Sequence, residues 1–368
     1  DSLIAWGIQL ESSQNTVIEN NNVQNLKSTV NGSDIVQPGI NSYNGFGDTI
    51  RNNIVHNLRA NAGYTTVGIL LSGWAGMIGS NNLVYNNMIY DINSTSTSYD
   101  SRVTGIQMWH QNDPKIYYNS VFLSGIGSNK YGSAALYVYL GTANADIRNN
   151  VFVNTRDESP YCASAIRAYS TYSTFTSDYN DLYYEFSPYN CLVTTGNNDY
   201  HTLVDWQVTG KDLNSVNEMP NFISPDLHIF AGPSYLESNA TPMLEITEDF
   251  DGNPRHAITP DIGADEFNGV AVGVKYEEML PTQFALLQNY PNPFNPSTKI
   301  SWQVPVGGLQ TLKLFNVLGN EIETLFNDYK PAGKYEVQFN ASTLSSGVYF
   351  YQLKAGNYIE IKKMILIK

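Results

Sequence analysis

The chain has little charge. Lysine, arginine, aspartate and glutamate make up only 15% of its 368 residues. What charge there is lacks a basic excess, and the net value is −14. Nucleic-acid binding needs a basic footprint, so that class is excluded. Anionic lipid surfaces are disfavoured for the same reason. No run of 18 apolar residues occurs, so no transmembrane segment is expected. No stretch keeps a helical spacing of apolar residues. Three catalytic signatures are missing: the G-x-S-x-G elbow, the H-E-x-x-H zinc helix and the P-loop. The five histidines (His56, His110, His201, His228, His256) share no metal-ligand spacing. The first residues, Asp1-Ser2-Leu3-Ile4, do not read as a signal peptide.

What the chain has instead is a repeat of about 31 residues marked by asparagine. Copies read Glu19-Asn20-Asn21-Asn22-Val23, Arg51-Asn52-Asn53-Ile54, Tyr85-Asn86-Asn87-Met88, Tyr118-Asn119-Ser120-Val121, Arg148-Asn149-Asn150-Val151 and Tyr179-Asn180-Asp181-Leu182. The apolar residues that follow (Val23, Ile54, Met88, Val121, Val151, Leu182) are 31, 34, 33, 30 and 31 apart. A second beat precedes each copy, from Gly7-Ile8 and Gly39-Ile40 through Gly68-Ile69, Gly105-Ile106 and Ala135-Leu136 to Ala165-Ile166. A period in this range signals a solenoid, a propeller or an array. Within each copy, apolar residues alternate, which argues strands. Glycine, asparagine and serine clusters between them read as turns. Three short strands in about 31 residues fit a coil of a parallel β-helix, stacked at about 4.8 Å.

The asparagines then have a structural task. They sit where a strand bends into the next face, and asparagine tolerates left-handed backbone there. Stacking places Asn21, Asn53, Asn87, Asn119, Asn150 and Asn180 above one another, where each amide can donate and accept along the column. A ladder is the expectation, and a binding site is not. The region from Asp1 to Phe267 resembles the right-handed parallel β-helix superfamily, the pectate-lyase-like fold. Its close, Asp249-Phe250-Asp251-Gly252-Asn253-Pro254-Arg255 with Asp261-Ile262-Gly263-Ala264-Asp265-Glu266-Phe267, resembles the end of many secreted bacterial β-helix proteins. The expected layout is coils over 1–200, terminal coils and a cap over 201–268, and a connector over 269–280. The first residues fall already inside a coil, so an uncapped first coil with an exposed strand edge is expected.

After Leu280-Pro281 the asparagine beat stops, and residues 281–368 carry a net +3 against −17 for the remainder. Alternating strands are expected at 298–304, 311–317, 335–339, 348–353 and 358–367, suggesting a small Ig-like β-sandwich. The elements Asn289-Tyr290-Pro291-Asn292-Pro293-Phe294-Asn295-Pro296, Leu314-Phe315-Asn316-Val317-Leu318-Gly319, Ser346-Gly347-Val348-Tyr349 and the terminal Lys362-Lys363-Met364-Ile365-Leu366-Ile367-Lys368 are similar to the type A sorting domain of type IX secretion in Bacteroidota and relatives. That resemblance implies the type IX secretion machinery as a partner and a secreted or cell-surface location.

The candidates for chemistry are few. Arg51 and Arg148 hold equivalent places in the repeat but three coils apart, on the order of 14 Å, too far for one site. Asp178 and Asp181 are close in sequence, yet Asp181 falls at the second-asparagine place, which favours a ladder role over acid–base work. No catalytic residue is named. Asp249, Asp251, Asp261 and Asp265 could form an irregular oxygen site for calcium, although a tight turn is the favoured reading and the late glutamate of a calcium loop is missing. No cofactor is required. Cys162 and Cys191, one coil apart in matching Ser-Pro-Tyr contexts, are expected to form a disulfide.

Aromatics follow the first strand of successive coils: Trp74, Trp109 with His110, Tyr137 and Tyr139, then Tyr169 and Tyr172. Such a stripe can bind sugar rings or a second subunit, or its members can simply pack on one another. The expected function is a secreted structural or adhesive β-helix, with head-to-tail self-assembly of copies as one form of it. The alternatives are noncatalytic binding of extracellular polysaccharide, or a polysaccharide lyase or hydrolase with part of its site in further coils.

Overall fold

A computed structural model describes residues 7–28, 35–60, 64–74, 79–94, 102–127, 132–158, 160–169, 173–196, 198–223, 226–271, 283–305, 308–330, 333–356 and 358–368. The fold is all-β, 55% strand and 2% helix, and it begins with a β-solenoid of about 5 turns. The chain divides into two compact units, Asp1–Gly273 and Val274–Lys368. The expected connector lies mostly outside the described residues.

Three parallel sheets wrap the solenoid. One runs from Ile8–Glu11 through Ile35–Tyr43, Tyr64–Ser72, Arg102–Trp109, Ser133–Val138 and Ala163–Ala168 to Cys191–Thr195. Ile8, Ile40, Ile69, Ile106, Leu136, Ile166 and Val193 stack in register there. The second sheet stacks Ile18, Ile50, Val84, Ile116 and Ile147. The third stacks Val23, Val55, Ile89, Val121, Phe152 and Leu182. The inward residues of all three sheets form one apolar core. The glycines before the isoleucines answer to space. A Cβ on Gly105 would stand 2.2 Å from Val121 Cγ1 and 2.6 Å from the Ala135 carbonyl oxygen. Only further along the column do Ala135 and Ala165 replace glycine, both fully buried.

Register corrects the apolar alignment expected from the repeat. Val23, Val121 and Leu182 sit one place further along than Ile54, Met88 and Val151, which pair with Asn22, Ser120 and Asp181. Coil lengths vary, and in sequence the polar residue after the ladder asparagine looks the same as a third asparagine or a turn.

Past the last coil, the short helix Leu203–Gln207 starts at Thr202, whose side chain accepts the Asp205 N–H. It buries Trp206 against Phe175 and Tyr200 over the end of the core. One partial pass follows, with Leu182 N–H bonded to the Val216 carbonyl. The chain then adds no full coil over 226–268. It turns back along the outside of the solenoid and covers a second apolar cluster of Tyr118, Val151, Val153, Ile246, Ile262 and Phe267.

The second unit packs two antiparallel sheets, consistent with a small β-sandwich. One holds Ala285–Leu286, Ser297–Val304 and Gly333–Asn340, the other Glu321–Lys330, Gly308–Phe315, Gly347–Ala355 and Tyr358–Leu366. Trp302, Leu312, Leu314, Tyr351, Leu353 and Met364 fill the space between. Asn289 of the Asn-Tyr-Pro-Asn-Pro segment is buried, and its amide donates to the Pro291 carbonyl and Thr298 Oγ1.

Candidate functional site

The paired asparagines divide their work. The first of each pair takes the left-handed backbone, with φ of 57° at Asn20, 53° at Asn52, 53° at Asn86 and 63° at Asn149; Tyr118 and Tyr179 hold the same place in their coils at 51° and 56°. The second turns inward. Amide Nδ2 donates to the next Oδ1 from Asn21 to Asn53, Asn87, Asn119, Asn150 and Asn180, at 2.9–3.0 Å each. Each Oδ1 also accepts the backbone N–H of the asparagine before it. The column ends on a buried acid: Asn180 Nδ2 donates to Asp212 Oδ1, and Trp206 Nε1 donates to Asp212 Oδ2. Burial holds the Asp212 carboxyl above its ordinary range, against hydrogen bonds from Ser215, Asn180 and Trp206 that lower it.

Asn180, not Asp181, is thus the ladder residue. Asp181 follows it, fully buried, and accepts the Glu218 N–H on Oδ1 at 2.8 Å. Asp178 is spent on the Asn214 backbone and side chain. Arg51 is paired with Glu19 and donates to the Tyr85 hydroxyl at 2.7 Å. Arg148 is paired with Asp146. Both arginines are neutralised on the same face. Arg51, Glu19 and Tyr85, with Glu248 and Asp251, line a polar hollow of about 310 Å³.

The outward asparagines hold the returning segment, a role invisible in the repeat itself. Asn52 donates to the Phe250 carbonyl at 2.8 Å, Asn86 to that of Glu248 at 2.8 Å, and Asn149 to that of Thr241 at 2.8 Å. Arg255 locks the same segment, donating to Asn86 Oδ1, the Gly263 carbonyl and Glu266, with its guanidinium 3.8 Å above the Tyr118 ring.

The four candidate calcium carboxylates separate. Asp249 accepts the N–H groups of Asp251, Asn253 and Glu266. Asp261 accepts those of Ser238 and Phe267, and burial pushes its carboxyl up to about 7. These two shape the turn. Asp251 and Asp265 instead converge with His228, a residue its spacing did not reveal because its partners lie over 20 residues away in sequence. His228 Nε2 is 2.8 Å from Asp251 Oδ2 and Nδ1 is 2.8 Å from Asp226 Oδ1. Burial alone would lower the imidazole; the bond to Asp226 and the charges of Asp251 and Asp265 outweigh it and raise it.

Trp109, Tyr139 and Tyr169 come together. Trp109 ends its strand, and Tyr139 and Tyr169 directly follow theirs; the residues before them, Met108, Val138 and Ala168, are in register. Ring centroids are 5.9 Å apart between Trp109 and Tyr139 and 5.7 Å between Tyr139 and Tyr169, the latter edge to face. Tyr137 is buried beside them, 4.9 Å from Tyr139, and Arg102 covers both rings at 5.4 and 5.3 Å. His110 adjoins Trp109 at 5.8 Å in a left-handed bend. Trp74 is displaced: Ser72, not Trp74, is in register with Trp109. It stands 62% exposed. Tyr172 lies outside the described residues.

The sulfurs of Cys162 and Cys191 stand 3.0 Å apart, unbonded in this structure. The hydrogen bond from Cys191 pulls the Cys162 thiol down to about 7, and the same contact raises Cys191.

Residues 288–368 match the family model of the secretion system C-terminal sorting domain. Comparison with curated proteins finds no match. The sorting domain indicates export through type IX secretion to a secreted or cell-surface location, and no described helix is long and apolar enough to cross a membrane.

Proposed function

We propose that this exported β-solenoid is a noncatalytic adhesive rod that binds extracellular polysaccharide along its aromatic row. The observation that carries the reading is the in-register run Trp109–Tyr139–Tyr169, backed by Arg102. The rings rise from strand ends on a rigid stack, so their spacing is set by the backbone before any ligand arrives. Flat rings with polar neighbours suit the apolar faces of sugars, and Tyr169 is 42% exposed. Preorganised contacts lose little side-chain freedom on binding. The charge-poor surface fits a neutral or weakly charged glycan.

Affinity electrophoresis through polysaccharide-loaded gels tests this. Wild-type protein is retarded, Tyr169→Ala loses about 1–2 kcal/mol of binding, and Trp109→Ala loses more. Equal mobility of wild type and both variants in every gel removes the reading. Light scattering on the same samples tests head-to-tail assembly of copies, which a monodisperse monomer would rule out. Export also places Cys162 and Cys191 in an oxidising space, and their closure into a disulfide belongs to the proposal. Alkylation without reductant then labels neither sulfur; labelling of both removes the disulfide.

A further inference from the structure

Three carboxylates face one imidazole where the chain turns back on the solenoid. His228, Asp251 and Asp265 each offer a ligand atom, and these all lie within 4.8 Å of one another. Asp226 Oδ1 takes the other ring nitrogen at 2.8 Å. Asp265 is buried and uses Oδ2 on the Ile229 N–H, at 2.8 Å. The Phe250 ring stands edge-on to the imidazole, centroids 5.9 Å apart, and closes one side.

We propose that His228, Asp251 and Asp265 bind one divalent cation of the zinc class. Two features of the donor set point there. The first is charge: three carboxylates gather round a single imidazole, and a dication that takes the place of the Nε2 proton offsets two of their three negative charges. The second is the orientation of the ring. A metal-bound histidine typically donates its other N–H to a carboxylate, which fixes tautomer and direction. Asp226 does that for Nδ1, which leaves Nε2, 2.8 Å from Asp251 Oδ2, as the nitrogen a metal would take in exchange for its proton. A nitrogen donor beside two carboxylates suits zinc, and calcium takes all-oxygen cages.

Metal–ligand bonds of about 2.0–2.2 Å bring tetrahedral donors to roughly 3.3 Å apart. The present 4.8 Å spread must contract. Asp251 can supply that movement: it sits half exposed on the turn before Gly252, whose φ is +84°. Asp265 and His228 are the fixed side. Water would complete the sphere from the exposed direction. The ion would tie the segment around 226–229 to the turn at 249–253, beside the carbonyls through which Asn52 and Asn86 hold the chain to the solenoid.

The test uses the full chain, stripped with chelator and titrated with zinc by calorimetry, with cobalt as a spectroscopic probe. One equivalent binds, cobalt gives visible absorption of a nitrogen–oxygen site, and added zinc raises the melting temperature. His228→Gln weakens binding at least about 100-fold, and Asp226→Asn about 10-fold through loss of orientation. Asp251→Asn, on the exposed turn, is the second variant should His228→Gln lose its near-ultraviolet dichroism. Absence of stoichiometric zinc binding by the wild type overturns the proposal. So does wild-type affinity in both His228→Gln and Asp251→Asn, or binding of calcium in preference to zinc; the cluster is then only an ion-paired clasp.

Discussion

At the scale of single residues, the ladder asparagines carry more obligations than their size suggests. Asn87 donates to the Ile50 and Tyr85 carbonyls and to Asn119 Oδ1, and accepts from the Asn53 backbone and amide. Asn53, Asn87 and Asn119 are all fully buried. Cutting the side chain strands donors and acceptors on both neighbouring coils, and each orphaned buried group costs about 1–3 kcal/mol. Asn87→Ala should therefore lose about 3–5 kcal/mol, measured by denaturant unfolding of the solenoid. Asn52→Ala should lose only about 1 kcal/mol, because its partners are carbonyls near the surface that water can serve. Equal losses in the two variants would mean that the inward column has no special weight. The inward role was legible from the repeat, since stacked amides call for asparagine at one fixed place in every coil. The outward role was not: the Asn86 and Asn52 partners at Glu248 and Phe250 are 162 and 198 residues away, and nothing local marks them.

At the scale of elements, the returning segment is held by one side chain above all. Arg255 is buried, bonded to Asn86, Gly263, Ala264 and Glu266, and stacked on Tyr118. Arg255→Ala removes the cation paired with the Glu266 carboxylate and the donor to the Gly263 carbonyl and Asn86 Oδ1, and should cost about 3–5 kcal/mol. The loss should be local. Limited proteolysis is expected to cut the variant within 240–268 while the coils stay intact; unchanged resistance there would show that the segment is held by its apolar face alone. The elements themselves were unequally legible. The strands of the first sheet announced themselves by isoleucine and glycine at fixed intervals, and the in-register column from Ile8 to Ile166 follows that signal. Glu321–Lys330 did not, because it is an edge strand with Glu321, Ile322, Glu323 and Thr324 all exposed and no apolar alternation to read. The aromatic row was half legible. Trp109, Tyr139 and Tyr169 obey the strand register, and Trp74 follows a strand at a different offset that the repeat length could not resolve. The meeting of His228 with Asp251 and Asp265 depends on a reversal of the chain, so no spacing rule could find it.

At the scale of the whole molecule, an acidic chain buries several of its acids. Asp181, Asp212, Glu218 and Asp261 are each pushed up by burial, Asp261 to about 7. A carboxyl whose folded pKa lies above its unfolded value of about 4 takes up a proton on folding in the interval between them. Its contribution is fully present below the unfolded pKa and is lost as pH rises through the folded one. All four act in the same direction, so the solenoid should be more stable at about pH 5 than at about pH 8, contrary to the common case of paired surface carboxylates. Asp181 isolates the effect. Its Oδ1 accepts the Glu218 N–H, and its buried Oδ2 has no partner among the described residues. Asp181→Asn keeps the accepting oxygen and removes the charge. The variant should gain about 1 kcal/mol or more at about pH 8, gain little at about pH 5, and so flatten the slope of melting temperature against pH. Calorimetry at the two pH values decides it. A variant less stable than wild type at the higher pH would mean that the carboxylate is ionised and served in the folded state, and that the acids of this solenoid are held by their hydrogen bonds more than they are penalised by burial.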